Sequence, residues 1–308
     1  MTSLPSNEFA HLRITLENIL SATNNFAQEN VVRMSEFSKD YKGHIFWSGE
    51  LIHITARRLN KEMNDREQLL WMEISMLSTL KHKNLVSLIG FCDENDEKII
   101  IIRNETRGML FEYISNPMLT WVRRLKICVG IAHALSYVHY DESRDFSVIH
   151  RLIDSSRVLL NDEWEPKLCD FERSMKIKGS QRHHSFHTIR LDYVNGYGDP
   201  TYIETKSVNH KSDMYSFGIV LFELLCGRRS IIDTDNNKYL ASLAITHYRE
   251  KRLDEIISWD LWEQMDSRSF HMFTEIAYEC LNEERSLRPD IDEIVTRLEK
   301  ALEHQNAS

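Results

Sequence analysis

The residues best suited to chemistry lie in Val148–Asn161, VIHRLIDSSRVLLN, and in LCDFE at Leu168–Glu172. His150, Asp154, Asp170 and Glu172 can exchange protons, and the carboxylates can also hold a cation. Leu152 can accept no proton, and Arg157 repels any metal ion that nearby carboxylates would attract. At ~4 Å and an effective dielectric of ~20 that repulsion is roughly 4 kcal/mol per unit charge, about double for a divalent ion. A second group, Arg182–His187 (RHHSFH), puts His183, His184 and His187 at spacings that fit one helical turn and metal ligation. The polar setting favours a solvated loop whose histidines titrate near neutral pH. Cys92, Cys128, Cys169, Cys226 and Cys280 stand inside apolar stretches without CxxC spacing. They read as buried free thiols of a reducing compartment, not as disulfides or ligands. No metal site is expected.

The elements that must hold these groups show in the periodicity. LIHITARRLN at Leu51–Asn60 alternates as a strand does. Asn64–Leu80 carries Leu69, Leu70, Glu73, Met76, Leu77 and Leu80 on neighbouring helical faces, and Trp121–His139 is a long amphipathic pattern. Residues 1–21 read as a flexible leader turning into a short helix, and 304–308 as a tail. At 308 residues, 42% hydrophobic and 28% charged, the chain can bury a sizeable core and fill two lobes. A formal charge of −9 argues against nucleic acid and against an anionic membrane surface. No apolar run approaches ~20 residues and no signal peptide is visible, so the chain as given reads as soluble. The opening Met-Thr-Ser lacks the glycine that N-myristoylation requires.

ITLENILSATNNF, HKNLVSLIGFCDE, SDMYSFGIVLFELLCGR and RSLRPDIDEIV follow one another in an order and spacing that resemble the plant receptor-like protein kinases. The resemblance covers about residues 15–303. It implies an α+β, bilobal kinase-like domain over 22–303, with a small β-rich lobe and helix αC at about 22–105. A larger, mainly helical lobe follows at about 106–303. KIIIIRNETRGML would be the buried strand entering the lobe connection Arg103-Asn104-Glu105, with Ile102 as gatekeeper.

In this family the catalytic loop reads H-R-D-x-x-x-x-N ahead of D-F-G, and a glycine loop G-x-G-x-x-G-x-V grips the phosphates. Aligned on those motifs, Leu152 takes the place of the catalytic aspartate, Asp154 that of a lysine, and Arg157 that of the metal-binding asparagine. Asp170 survives, while Glu172 replaces the last glycine, which should stiffen the turn because glycine visits φ > 0 most freely. The loop glycines become Arg33, Ser35 and Ser38, and the valine over adenine becomes Asp40. The simplest reading is a hairpin that packs through Phe37 and Tyr41, although Arg33 could attract an anion. The phosphate-holding lysine is Arg57, and the alanine beneath adenine is Thr55. Rescue of that lysine by Lys39 is not expected, since it points to the opposite strand face. Glu73 sits at the αC glutamate position and should pair with Arg57, leaving Arg157 for an acid of the D-F-E turn. Thr201 replaces the glutamate that normally pairs with Arg288, so Glu204 is the expected substitute. The hydrophobic spine (Leu77, Leu88, His150 and Phe171, anchored by Asp213) is complete.

This partition, with the framework kept and the residues facing nucleotide and metal changed, implies a pseudokinase of the serine/threonine protein kinase fold: not an enzyme, with no catalytic residue. ATP and Mg²⁺ are expected to bind weakly or not at all, so no cofactor is assigned. The implied role is a scaffold or allosteric partner for an active receptor-like kinase or a signalling adaptor, in the cytoplasm or at the inner face of the plasma membrane through a partner. The alternatives are a non-catalytic nucleotide-binding regulator and a weakly active kinase with rearranged chemistry.

Overall fold

The computed structural model describes residues 8–47, 49–234 and 237–307. The chain divides into two compact units, one of residues 1–106 with Asp170–Arg173 and the other of 107–169 with 174–308. The first seven leader residues and the terminal Ser308 lie outside the described residues.

Unit one is a twisted sheet with two helices. It comprises α1 (Leu16–Ala22), β1 (Val31–Met34), β2 (Ser38–Trp47), β3 (Glu50–Leu59), α2 (Arg66–Thr79), β4 (Leu88–Cys92) and β5 (Ile99–Arg103). The strands form one antiparallel sheet in the order β1-β2-β3-β5-β4. Alternation along β3 sends Ile52, Ile54 and Ala56 into a core with Ile45, Ile99 and Ile101. The same register sets Asp40 opposite Arg57 and Thr55 opposite Ile102. Trp71 of α2 meets Phe91 of β4 edge to face at 5.3 Å.

The segment expected to be a flexible leader turning into a short helix does carry that helix, α1, and is part of this core from residue 9 onward. Phe9, Ile14 and Ile19 are buried, and full burial of each such side chain contributes roughly 1.5–3 kcal/mol. Thr15 caps α1 by accepting from the Asn18 N–H. Gly43 is required where α1 crosses β2, because a Cβ there would lie 2.5 Å from the Ala22 carbonyl oxygen. Arg13 bridges to Phe91 in parallel fashion and pairs with Asp93, which covers the β4 edge of the sheet.

Unit two is mainly helical. Its first part runs through β6 (Gly108–Met109), α3 (Trp121–His139), β7 (Phe146–Ile149), β8 (Val158–Leu160) and β9 (Pro166–Leu168). After Arg173 come β10 (Met175–Lys178), β11 (Phe186–His187), α4 (Pro200–Thr205), β12 (Ser207–Val208) and α5 (His210–Cys226). The remainder is a β13–β14 hairpin (Ile231–Thr234 with Asn237–Tyr239), then α6 (Leu240–Arg249), α7 (Trp259–Trp262), α8 (Ser267–Cys280) and α9 (Ile291–Ala307). Residues 304–307, read as a tail, therefore continue the last helix. Helix α5 is buried from Ser212 to Cys226, as a central helix must be. A capping box of Asn209 and Ser212 starts it, and Gly227 at φ 67° ends it.

The chain is thus α+β, with a five-stranded sheet in one unit and a helical second unit. No described helix is long and apolar enough to cross a membrane. The described residues contain no histidine, cysteine or carboxylate group fit to hold a metal, and His183, His184 and His187 are exposed. All five cysteines are buried free thiols.

Candidate functional site

In unit one the changed residues meet. Arg57, on β3 and only 4% exposed, faces Glu73 of α2 at 3.4 Å, Asp40 of β2 at 3.6 Å and Glu172 at 3.9 Å. Its tightest contact is with Asp170. Arg33, on β1, reaches the other Asp170 oxygen. The expected pair of Arg57 with Glu73 is present, and Asp170 shares the same guanidinium group. Glu73 is fully buried, and the nearest approach of the guanidinium group is to Asp170. Two arginines hold that aspartate between them.

This arrangement places four carboxyl groups around two guanidinium groups, and a proton on one acid relieves the repulsion. Burial pushes Glu73 well above the usual carboxylate range; Arg57 opposes the shift, and the charges on Glu172 and Asp170 reinforce it. Because its folded pKa is raised, Glu73 gives a stability contribution that is full below its ordinary pKa and lost as pH rises through the raised one. Glu73→Gln keeps the neutral form. We expect its melting temperature to match wild type near pH 5 and to exceed it increasingly toward pH 8; parallel melting curves across that range would refute the assignment.

The glycine-loop positions behave differently from glycine. The Ser35 hydroxyl accepts the N–H groups of Phe37 at 3.2 Å and Ser38 at 3.1 Å. Ser38 in turn donates to Asp40 at 2.7 Å. Backbone donors that a phosphate would need are thus already taken by a side chain. The cavity bounded by Arg33, Ser38, Arg57, Ile100, Asp170 and Glu172 amounts to ≈ 10 Å³, about the space of one water molecule. Thr55 donates to Asn104 at 2.9 Å, and Ile102 is buried. Lys39 turns to Gln28 at 2.9 Å, away from Arg57.

Leu77 and Phe171 are wholly buried in this unit and Leu88 is half-buried. The left-handed backbone falls on Asp170, at φ 67°, and not on Glu172. Loss of the last glycine of the motif therefore does not strain the turn at the position expected. Arg173, next in line, donates to Asp65 at 2.6 Å.

In unit two, Asp213 fixes the loop after β7. It accepts from the N–H of His150 at 2.8 Å and of Arg151 at 2.7 Å, and bonds His139 Nε2 at 2.8 Å. Burial pushes Asp213 up, yet the bond to His139, the charges of His139 and His150 and the Arg151 amide outweigh it and leave its pKa below the usual value. His150, fully buried, also contacts the Cys169 carbonyl at 3.0 Å. Leu152 is buried in this loop. Arg157 pairs with Asp154, three residues back. The replaced lysine and asparagine positions now carry opposite charges and neutralise one another. Sequence spacing alone held that signal, because i and i+3 in a tight turn are neighbours.

The partner expected for Arg288 is also corrected. Arg288 bonds Asp199 at 2.9 Å, and Arg285 joins the same carboxylate at 2.6 Å. Asp199 is buried beneath them as the N-cap of α4, while Glu204 lies on the exposed side of that helix. Thr201, in the glutamate position, makes only a 3.4 Å contact to the Glu283 carbonyl.

Residues 36–298 match the protein kinase domain. The chain belongs to the protein kinase family. It is similar to three receptor-like protein kinases of Arabidopsis thaliana: FERONIA, at 33% identity over 100% of this chain, HERK 1, at 34% over 100%, and ANXUR2, at 34% over 96%. The chain spans about a third of the length of these relatives, 34% of FERONIA and of ANXUR2 and 36% of HERK 1. The family match overturns the expectation that the protein is not an enzyme, because the relatives across its whole length are named protein kinases. Losing a general base slows proton transfer by ~10²–10⁴-fold without abolishing it, so Leu152 and Arg157 do not by themselves remove a kinase domain from its enzyme class.

Proposed function

We propose that this protein kinase domain acts chiefly as a scaffold or allosteric partner of an active receptor-like kinase. In this reading its own phosphoryl transfer is slow and ATP·Mg²⁺ binds weakly. The observation that carries the reading is the double arginine clamp on Asp170. That carboxylate is the one metal ligand of the family pattern still in place, and two guanidinium groups, buried Arg57 and half-buried Arg33, already satisfy it. A magnesium ion would have to displace both, against the repulsion of two adjacent cations.

The resident groups fit a nucleotide poorly for further reasons. Ser35 takes up loop amides, and Arg57 spends its fork on acids where a lysine would hold phosphates. Glu73, buried against Arg57, ties α2 to β3, and in this reading the α2 surface is what a partner recognises. Docking beside an active kinase, at the inner face of the plasma membrane or in the cytoplasm, is the role this geometry supports.

The test uses the whole chain and the kinase domain of FERONIA. Titrating the chain into the active domain should change that domain's autophosphorylation rate at least about threefold and saturate. Wild type and the Leu152→Asp variant should act alike. An unchanged rate at every ratio, with no complex by light scattering, would overturn the proposal.

A further inference from the structure

The segment between β10 and α5 is held by a charge the chain supplies itself. Arg151 has a left-handed backbone, φ 74°, and its N–H is fixed on Asp213. Its side chain therefore leaves the loop in a set direction and meets Asp192, Nη2 to Oδ2 at 2.7 Å, with the two side chains 10% and 9% exposed. The same Nη2 donates to the Tyr202 hydroxyl at 2.8 Å. That hydroxyl accepts the Asp192 N–H at 3.2 Å and lies 3.1 Å from Thr188 Oγ1. The second Asp192 oxygen takes Arg190 Nε at 3.0 Å. Below them Tyr202 packs with Ile149, Ile177 and Val208, and Phe186 and Leu191 of the segment lie against that cluster.

Segments in this position are commonly ordered by phosphorylation, when a new phosphate finds an arginine. Here the arginine is already occupied. We propose that Asp192 is a built-in anion that orders residues 186–202 in the unmodified chain, so that this surface is presented without any phosphorylation step. Both Asp192 oxygens are used on guanidinium groups and its amide is used on Tyr202, so the residue acts as the segment's positioning group. A phosphate added at Thr188 would face an arginine already paired and a carboxylate of like charge, and would loosen the segment where elsewhere it would tighten it.

Hydrogen exchange on the full chain tests this. Peptides covering 183–202 should exchange at the same rate before and after phosphatase treatment. Asp192→Asn, which keeps shape and removes charge, should speed their exchange at least about tenfold, in line with the loss of a charged hydrogen bond. Peptides of α3 should be unaffected, and Asp192→Glu should keep most of the protection. Equal protection in Asp192→Asn and wild type would overturn the proposal, and so would loosening on phosphatase treatment. Were the Asn variant unfolded throughout, the phosphatase comparison on wild type and the Glu variant would still decide.

Discussion

Arg57→Met should lower the melting temperature by about 6–20 °C. Methionine keeps most of the apolar stem and removes the fork that Asp170, Glu73, Asp40 and Glu172 share. Taking one partner from a buried ion pair costs ~3–5 kcal/mol, because it strands the other charge, and each kcal/mol shifts a domain of this size by roughly 2–4 °C. Arg33 stays on Asp170 in the variant, which limits the loss. An exposed pair would give less than ~1 kcal/mol, so a fall under about 2 °C would mean the cluster is solvated and the clamp does not exist. Arg57→Lys should fall between the two, keeping the charge and losing the fork that reaches several acids at once.

The second large effect concerns catalysis by the enzyme family to which the chain belongs. Leu152→Asp alone should leave phosphoryl transfer within about tenfold of wild type. A restored base is useful only once ATP·Mg²⁺ is held, and Asp170 is still clamped. Combining Leu152→Asp with Asp154→Lys, Arg157→Asn, Arg33→Gly and Arg57→Lys should raise transfer by ~10²–10⁴-fold, the usual contribution of a positioned base. Asp154 and Arg157 are changed together because each neutralises the other. Radiolabelled transfer to a generic protein substrate measures both variants. Full recovery in the single variant would place the obstacle at Leu152 and not at the clamp.

Much of this was legible in the residues, and the reasons are specific. Helix α3 announces itself because its apolar positions repeat over about five turns. Asp213 could be placed because its helix aligns without gaps to the motif that carries it. That Arg57 would serve Glu73 and Asp170 at once was not legible: both acids lie within reach of one long side chain, and only the packed structure shows it shared. Arg288 went to Asp199 rather than Glu204 because a helix cap points its carboxylate inward, while a residue on the outer turn of α4 faces water. The 8–21 segment looked like a leader because α1 is only seven residues long, and its burial depends on a glycine in a distant strand. Asp192 gave no sequence signal at all, since one acid in a polar segment is unremarkable until its arginine is located.

The clamp on Asp170 is tested most directly by a thermal titration of the wild-type chain with ATP, with and without Mg²⁺. If ATP·Mg²⁺ bound with a Kd of about 10 μM, 1 mM would stabilise the fold by ~2.7 kcal/mol and raise the melting temperature by roughly 5–10 °C. With both arginines on Asp170 the expected shift is below about 1 °C, the same with or without the metal. A Mg²⁺-dependent rise of several degrees would show that the metal displaces the arginines, and the clamp would be wrong.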